Sequence, residues 1–129
     1  MRTTVLFTIT GEIFFLFGLL LLLSPQSYAW LYGATLAGFA GSVTRLWGGA
    51  TLGLALACLL AREWPENPAK LALALTVAVV NAAQGVIYLV YVLNGLLNTL
   101  GWINVAFHAG LALAFGTVYL LGPTETTTT

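Results

Sequence analysis

The chain has 129 residues, of which 60% are hydrophobic and 6% charged, and its four basic and four acidic side chains cancel to a net charge of zero. Soluble domains carry about a quarter charged residues, so this composition, with a mean hydropathy of +0.97, excludes an ordinary soluble fold. Without a Lys/Arg cluster the chain also lacks the electrostatic term on which nucleic-acid binding rests. Its single cysteine, Cys58, rules out an intrachain disulfide and a cysteine-based metal site, and reads as a small apolar core residue.

The predicted elements are all α, and together they form an integral-membrane four-helix bundle. Residues 4–23 are apolar apart from Thr8, Thr10 and Glu12, about the 20 residues that a hydrocarbon core of roughly 30 Å requires. A signal peptide competes for this stretch, because Arg2 precedes it and Ser27-Tyr28-Ala29 resembles a cleavage site. The length of the run and its internal carboxylate favour a spanning helix. Ser24-Pro25-Gln26-Ser27 is expected to stop that helix, and Tyr28, Trp30 and Tyr32 follow with the composition of a membrane-water interface. Residues 28–42 then read as interfacial, as re-entrant, or as the first turns of the second helix, which is placed at 37–60. The stretch 61–70 carries charges and two prolines and reads as a loop. The third and fourth helices are expected at 70–93 and 102–121, joined through Asn94-Gly95, with a disordered threonine-rich tail at 123–129.

An even number of spans puts both termini and the 61–70 loop on one side. That side holds Arg2, Arg62 and Lys70 against Arg45 on the other, so the positive-inside rule predicts cytoplasmic termini.

Small residues recur every four positions at Gly49, Gly53 and Ala57, at Ala74, Ala78 and Ala82, and at Ala106, Gly110 and Ala114. Such stripes let helices approach closely, so they predict a tight bundle and, on the second helix, a face suited to self-association.

Six polar residues fall within the spans: Glu12, Arg45, Asn81, Gln84, Asn104 and His108. At 1.5 Å per residue, Arg45, Gln84 and His108 lie about 21 Å from the loop side, Asn81 about 16 Å and Glu12 about 12 to 15 Å. A charge facing lipid costs at least about 2.5 kcal/mol, so convergence on one interior layer and a Glu12–Arg45 pair are expected. The cluster reads either as polar glue between helices or as a site for a small polar molecule or a proton relay. A lone histidine cannot supply a two-histidine haem site. Among the motifs of this sequence there is no nucleophile-base pair, metal-ligand spacing or phosphate loop, so no catalytic residue, metal or cofactor is expected.

Arg45-Leu46-Trp47-Gly48-Gly49-Ala50, with Leu52-Gly53-Leu54 after it and Asn98-Thr99-Leu100-Gly101-Trp102 further on, resembles the small four-helix bacterial membrane proteins of unknown function typified by the DUF4345 family. The resemblance implies a four-helix fold in a bacterial inner membrane and no activity. A weaker one is to the small multidrug resistance transporters, whose first-helix glutamate sits in a context similar to Gly11-Glu12-Ile13. Phe14, Phe15, the long 24–44 connection and Arg45 depart from that pattern. The functional expectation is therefore a non-catalytic accessory or interaction protein in contact with the bilayer, as a subunit of a membrane complex or a homo-oligomer. The alternative is a small proton-coupled transporter or a small-molecule-binding membrane protein.

Overall fold

The computed structural model describes residues 2–122, and the expected disordered tail at 123–129 lies outside them. Among the described residues five helices follow one another: α1 (Arg2–Leu23), α2 (Pro25–Leu31), α3 (Ala40–Ala61), α4 (Pro68–Leu93) and α5 (Leu100–Leu121). Four of them, all but α2, are long and apolar enough to cross a membrane. The chain is thus an all-helical, multi-pass membrane bundle.

The connection after α1 differs from its expected form. Ser24-Pro25 does end the first span, but proline lacks only the N–H that a first helical residue does not need, so Pro25 also opens α2. In a helix Tyr28 and Tyr32 share a face and Trp30 lies opposite. Accordingly the two tyrosines turn inward, while Trp30 stays 76% exposed. The second span begins at Ala40 rather than 37, after a turn in which Gly38 takes φ +56°. The third begins at Pro68 rather than 70, because the Asn67 side chain accepts from the Lys70 N–H at 2.9 Å and caps it.

Packing divides the bundle into two antiparallel pairs, α1 with α3 and α4 with α5, which touch each other only lightly between their ends. Glycines set the first pair. Gly11 faces Leu59, Gly18 faces Leu52, and a Cβ on Gly48 would stand 2.6 Å from the Leu22 nitrogen and 2.9 Å from the Gly18 carbonyl oxygen. The expected stripe at Gly49, Gly53 and Ala57 is not this contact. Added Cβ atoms at Gly49 and Gly53 would meet nothing within 4 Å. Spacing along a helix identifies a face, and the neighbouring face, one residue round, is the one that α1 occupies. On α4 two of the three are used, with Ala74 and Ala78 buried and Ala82 exposed.

The two pairs are pinned at both ends. At the loop end, Phe7 of α1 meets Phe115 of α5 edge to face at 5.0 Å, within a core that includes Cys58, Ala74 and Val77. Beside it Lys70, 1% exposed, donates to the Trp64 carbonyl at 2.9 Å and pairs with Glu66 at 3.1 Å. Glu66 in turn accepts from Thr3 at 2.6 Å, which ties the first span to the loop. At the other end, the Asn98 amide donates to the Leu31 carbonyl at 2.9 Å and its backbone N–H to Tyr32 at 3.0 Å, fastening the α4–α5 turn to the end of α2. The Asn98…Trp102 motif is therefore a clasp between the pairs.

The loop-end clasp should be acid-labile. The Thr3 hydroxyl foremost, and the Lys70 ammonium, hold the Glu66 carboxyl below the usual carboxylate range. A carboxyl depressed by folding contributes stability that is complete above its unfolded pKa and is lost as pH falls through the folded one. Stability in detergent should therefore be flat at neutral pH and drop below about pH 4, and Glu66→Gln should remove that part of the drop.

Candidate binding cleft

Pinned at both ends and lightly packed between them, the pairs leave a cavity of about 460 Å³. A second, of about 380 Å³, shares Leu21, Tyr28, Trp47, Gln84 and Tyr88 with it, so the two form one cleft. Its walls are mainly apolar and aromatic: Phe14 and Phe17 from α1, Trp47 and Leu54 from α3, Phe107 from α5. No Asp, Glu, Lys or Arg lines either part.

Its amide and imidazole groups come from α4 and α5, while Tyr28 and Tyr32 at α2 and Thr44 and Thr51 of α3 add hydroxyls. Asn81, Gln84 and Tyr88 follow at three- and four-residue steps along one stripe of α4, and Asn104 and His108 lie one turn apart on α5. The two helices are close at this level, where a Cβ on Gly85 would stand in ordinary contact with the His108 Cβ at 3.6 Å. Asn81, fully buried, donates through Nδ2 to the Val77 carbonyl at 2.8 Å, which leaves its Oδ1 to face His108 Nδ1 at 2.7 Å. His108 Nδ1 must then carry the proton, and a neutral ring presents Nε2 as an acceptor. The imidazole is also stacked on Tyr88, with centroids 5.3 Å apart and planes 12° from parallel. Tyr88 hydrogen-bonds to Tyr28 of α2, so one contact network crosses from α5 through α4 to the short helix. Asn104 lines the cavity too, and its buried Nδ2 has no partner among the described residues. Gln84 lines both parts, with no side-chain hydrogen bond among the described residues.

Of the six polar residues expected to converge, Gln84, Asn104 and His108 line the cleft, and Asn81 stands behind His108 as its hydrogen-bond partner. Glu12 and Arg45 do not join them. In the α1–α3 register, residues that face each other have numbers adding to about seventy, as in Gly11 with Leu59 and Gly18 with Leu52. Arg45 therefore stands level with residue 25, beyond the last residue of α1, where its side chain is exposed. Glu12 lies roughly 20 Å away along the axis, by 13 residues at 1.5 Å each. Among the described residues no ion pair joins them. Counting each depth separately from one membrane face underestimated this gap, because it ignored how the helices are offset. Arg45 is the sixth residue of α3, in its second turn, where a long side chain can extend toward the helix end, the cheaper place for a guanidinium.

The tyrosines and Trp47 of the cleft escaped the sequence reading. Tyr88 falls on the Asn81–Gln84 stripe, and Tyr28 and Tyr32 are four apart, so their shared faces were signalled once α2 is recognised as a helix. Among the described residues no group of three or more His, Cys, Asp or Glu is placed to hold a metal. A scan against protein-family models finds no match, and searches of curated proteins and of solved structures find no similar chain.

Proposed function

We propose that this is a non-catalytic membrane protein that receives a small, uncharged, mostly apolar molecule in the cleft between its two helix pairs. The observation that carries this reading is the cleft itself: about 460 Å³ in its larger part, within the range of small-molecule sites, mainly apolar-walled, with its amide and imidazole groups on the α4–α5 side. The chemistry of the lining narrows the ligand. Aromatic side chains suit a flat or unsaturated body. The free Asn104 Nδ2 and the Gln84 amide offer donors, and neutral His108 offers an acceptor, so a carbonyl or hydroxyl group on the ligand would be matched. A charged ligand would meet no counter-ion among the lining residues, and a net charge at this depth would be costly.

Polar glue accounts for Asn81 and His108, which satisfy each other, but leaves Asn104 Nδ2 unexplained. Proton-coupled transport stays the alternative, with Glu12 as a lone carboxyl apart from Arg45 and His108. Native mass spectrometry of protein released from mild detergent tests the proposal. Wild-type protein should retain a neutral adduct, and Leu54→Trp, which fills the cavity, should lose it. Equal adducts on both, or none on either, would contradict the reading.

For the membrane itself we infer a bacterial inner membrane, on the sequence resemblance, with both termini cytoplasmic, on the charge bias of the loop end. An impermeant thiol reagent applied to intact cells should label Gln26→Cys and leave Glu66→Cys unlabelled, each in a Cys58→Ala background. The reverse pattern would invert the orientation.

A further inference from the structure

The face of α1 opposite its packing face carries Val5, Ile9, Glu12, Leu16, Leu19 and Leu23. The steps between them alternate four and three, the heptad spacing with which one helix packs along another at a shallow crossing angle. Among the described residues no helix covers that stripe: Val5 and Ile9 are 51% exposed, Leu16 67% and Leu23 72%, with Leu19 half-buried. Glu12 sits in the middle of it, exposed, ten residues from one end of α1 and eleven from the other, which is close to the bilayer midplane for a helix about 33 Å long.

A carboxyl at that depth must be neutralised or partnered, because an ionised one facing hydrocarbon costs several kcal/mol. Among the described residues no cation pairs with it: Arg45 lies beyond the end of α1, Arg62 pairs with Glu63 at 3.1 Å, and Lys70 is committed to Glu66 and Trp64 at the loop end. We propose that this stripe is the interface with a second copy of the chain, in which the two Glu12 carboxyl groups meet and hydrogen-bond to each other. Copies inserted in the same orientation are related by an axis along the membrane normal, so each residue meets its own counterpart at equal depth. Glu12 therefore faces Glu12 without any further condition. A protonated carboxyl has one donor and acceptor capacity to spare, so the pair is self-complementary where a charged pair would repel. The second-helix stripe expected from Gly49 and Gly53 offers no such polar match.

Disulfide cross-linking in native membranes tests this, with single cysteines in a Cys58→Ala background. Ile9→Cys and Leu16→Cys, on the stripe, should give a dimer of twice the chain mass, and Leu113→Cys, equally exposed to lipid on α5, should not. Adding Glu12→Ala should lower the cross-linked fraction about tenfold, in line with roughly 1 to 2 kcal/mol for an interhelical polar contact. Glu12→Gln, whose amide also donates and accepts, should restore it. Because Glu12 touches no interior group, these variants should keep wild-type helicity, which circular dichroism checks. Cross-linking no greater than at Leu113→Cys, indifference to Glu12→Ala, or a cross-linked product containing a different protein would each overturn the proposal. None of these outcomes bears on the cleft, whose occupant is read separately.

Discussion

Gly48→Ala should destabilise the bundle by about 1 to 3 kcal/mol, the usual cost of forcing extra atoms into a filled contact, and Gly48→Leu should part α1 from α3 altogether. The reason is the identity of the obstructing atoms. A Cβ at Gly48 would stand 2.6 Å from a backbone nitrogen and 2.9 Å from a backbone oxygen of α1, and neither can rotate aside as a side chain can. At Gly11 and Gly18 the nearest atoms belong to the Leu59 and Leu52 side chains, which can shift in part, and the nearest backbone atoms stand farther off, at 3.1 and 3.0 Å, so alanine there should cost less. Gly49 is the internal control. Nothing lies within 4 Å of its Cβ position, and replacing a helical glycine with alanine gains up to about 1 kcal/mol in helix propensity. Gly49→Ala should be neutral or stabilising. Thermal or SDS-induced unfolding in detergent would rank the variants, and equal effects at 48 and 49 would refute the α1–α3 register.

The second large effect is expected at Asn81. Asn81→Leu keeps the volume but removes the acceptor of His108 Nδ1, stranding a buried N–H at about 1 to 3 kcal/mol. It also cuts the Asn81 bond to the Val77 carbonyl, which already has the helix N–H as a partner and loses less. His108→Phe strands Asn81 Oδ1 in the same way. The double variant should cost less than the sum of the two, by about 1 kcal/mol, since neither polar group is left behind. Strict additivity would mean that the 2.7 Å contact contributes nothing to stability.

How much of this was legible in the sequence follows from which features are local. Helix existence and span length are properties of a contiguous apolar run, so the four long helices are found within a few residues of their expected bounds. The His108–Asn104 and Asn81–Gln84 spacings likewise survive into the structure, because residues three or four apart share a face whatever the tertiary arrangement. Neighbour identity is not local. Gly48 rather than Gly49 makes the close contact, and Arg45 stands past the end of α1, because inter-helix offset depends on which surfaces fit together. Composition could not place the cleft either, since it arises from the clasps at Asn98 and at Lys70–Glu66 holding two pairs apart at their middle. Pro25 shows a third kind of limit: one residue that both stops a helix and starts one gives the same sequence signal for either role.

The claim that the helix pairs enclose a cleft open to small apolar molecules can be tested directly by photolabelling. The protein in liposomes would be irradiated with an uncharged aryl diazirine, and the modified residues mapped by mass spectrometry. The cleft predicts that labels concentrate on Phe14, Phe17, Trp47, Leu54 and Phe107, and that Leu54→Trp removes them while lipid-facing Leu56, Val79 and Leu113 keep their background labelling. Labelling confined to those lipid-facing residues, with the cleft side chains unmodified, would contradict it.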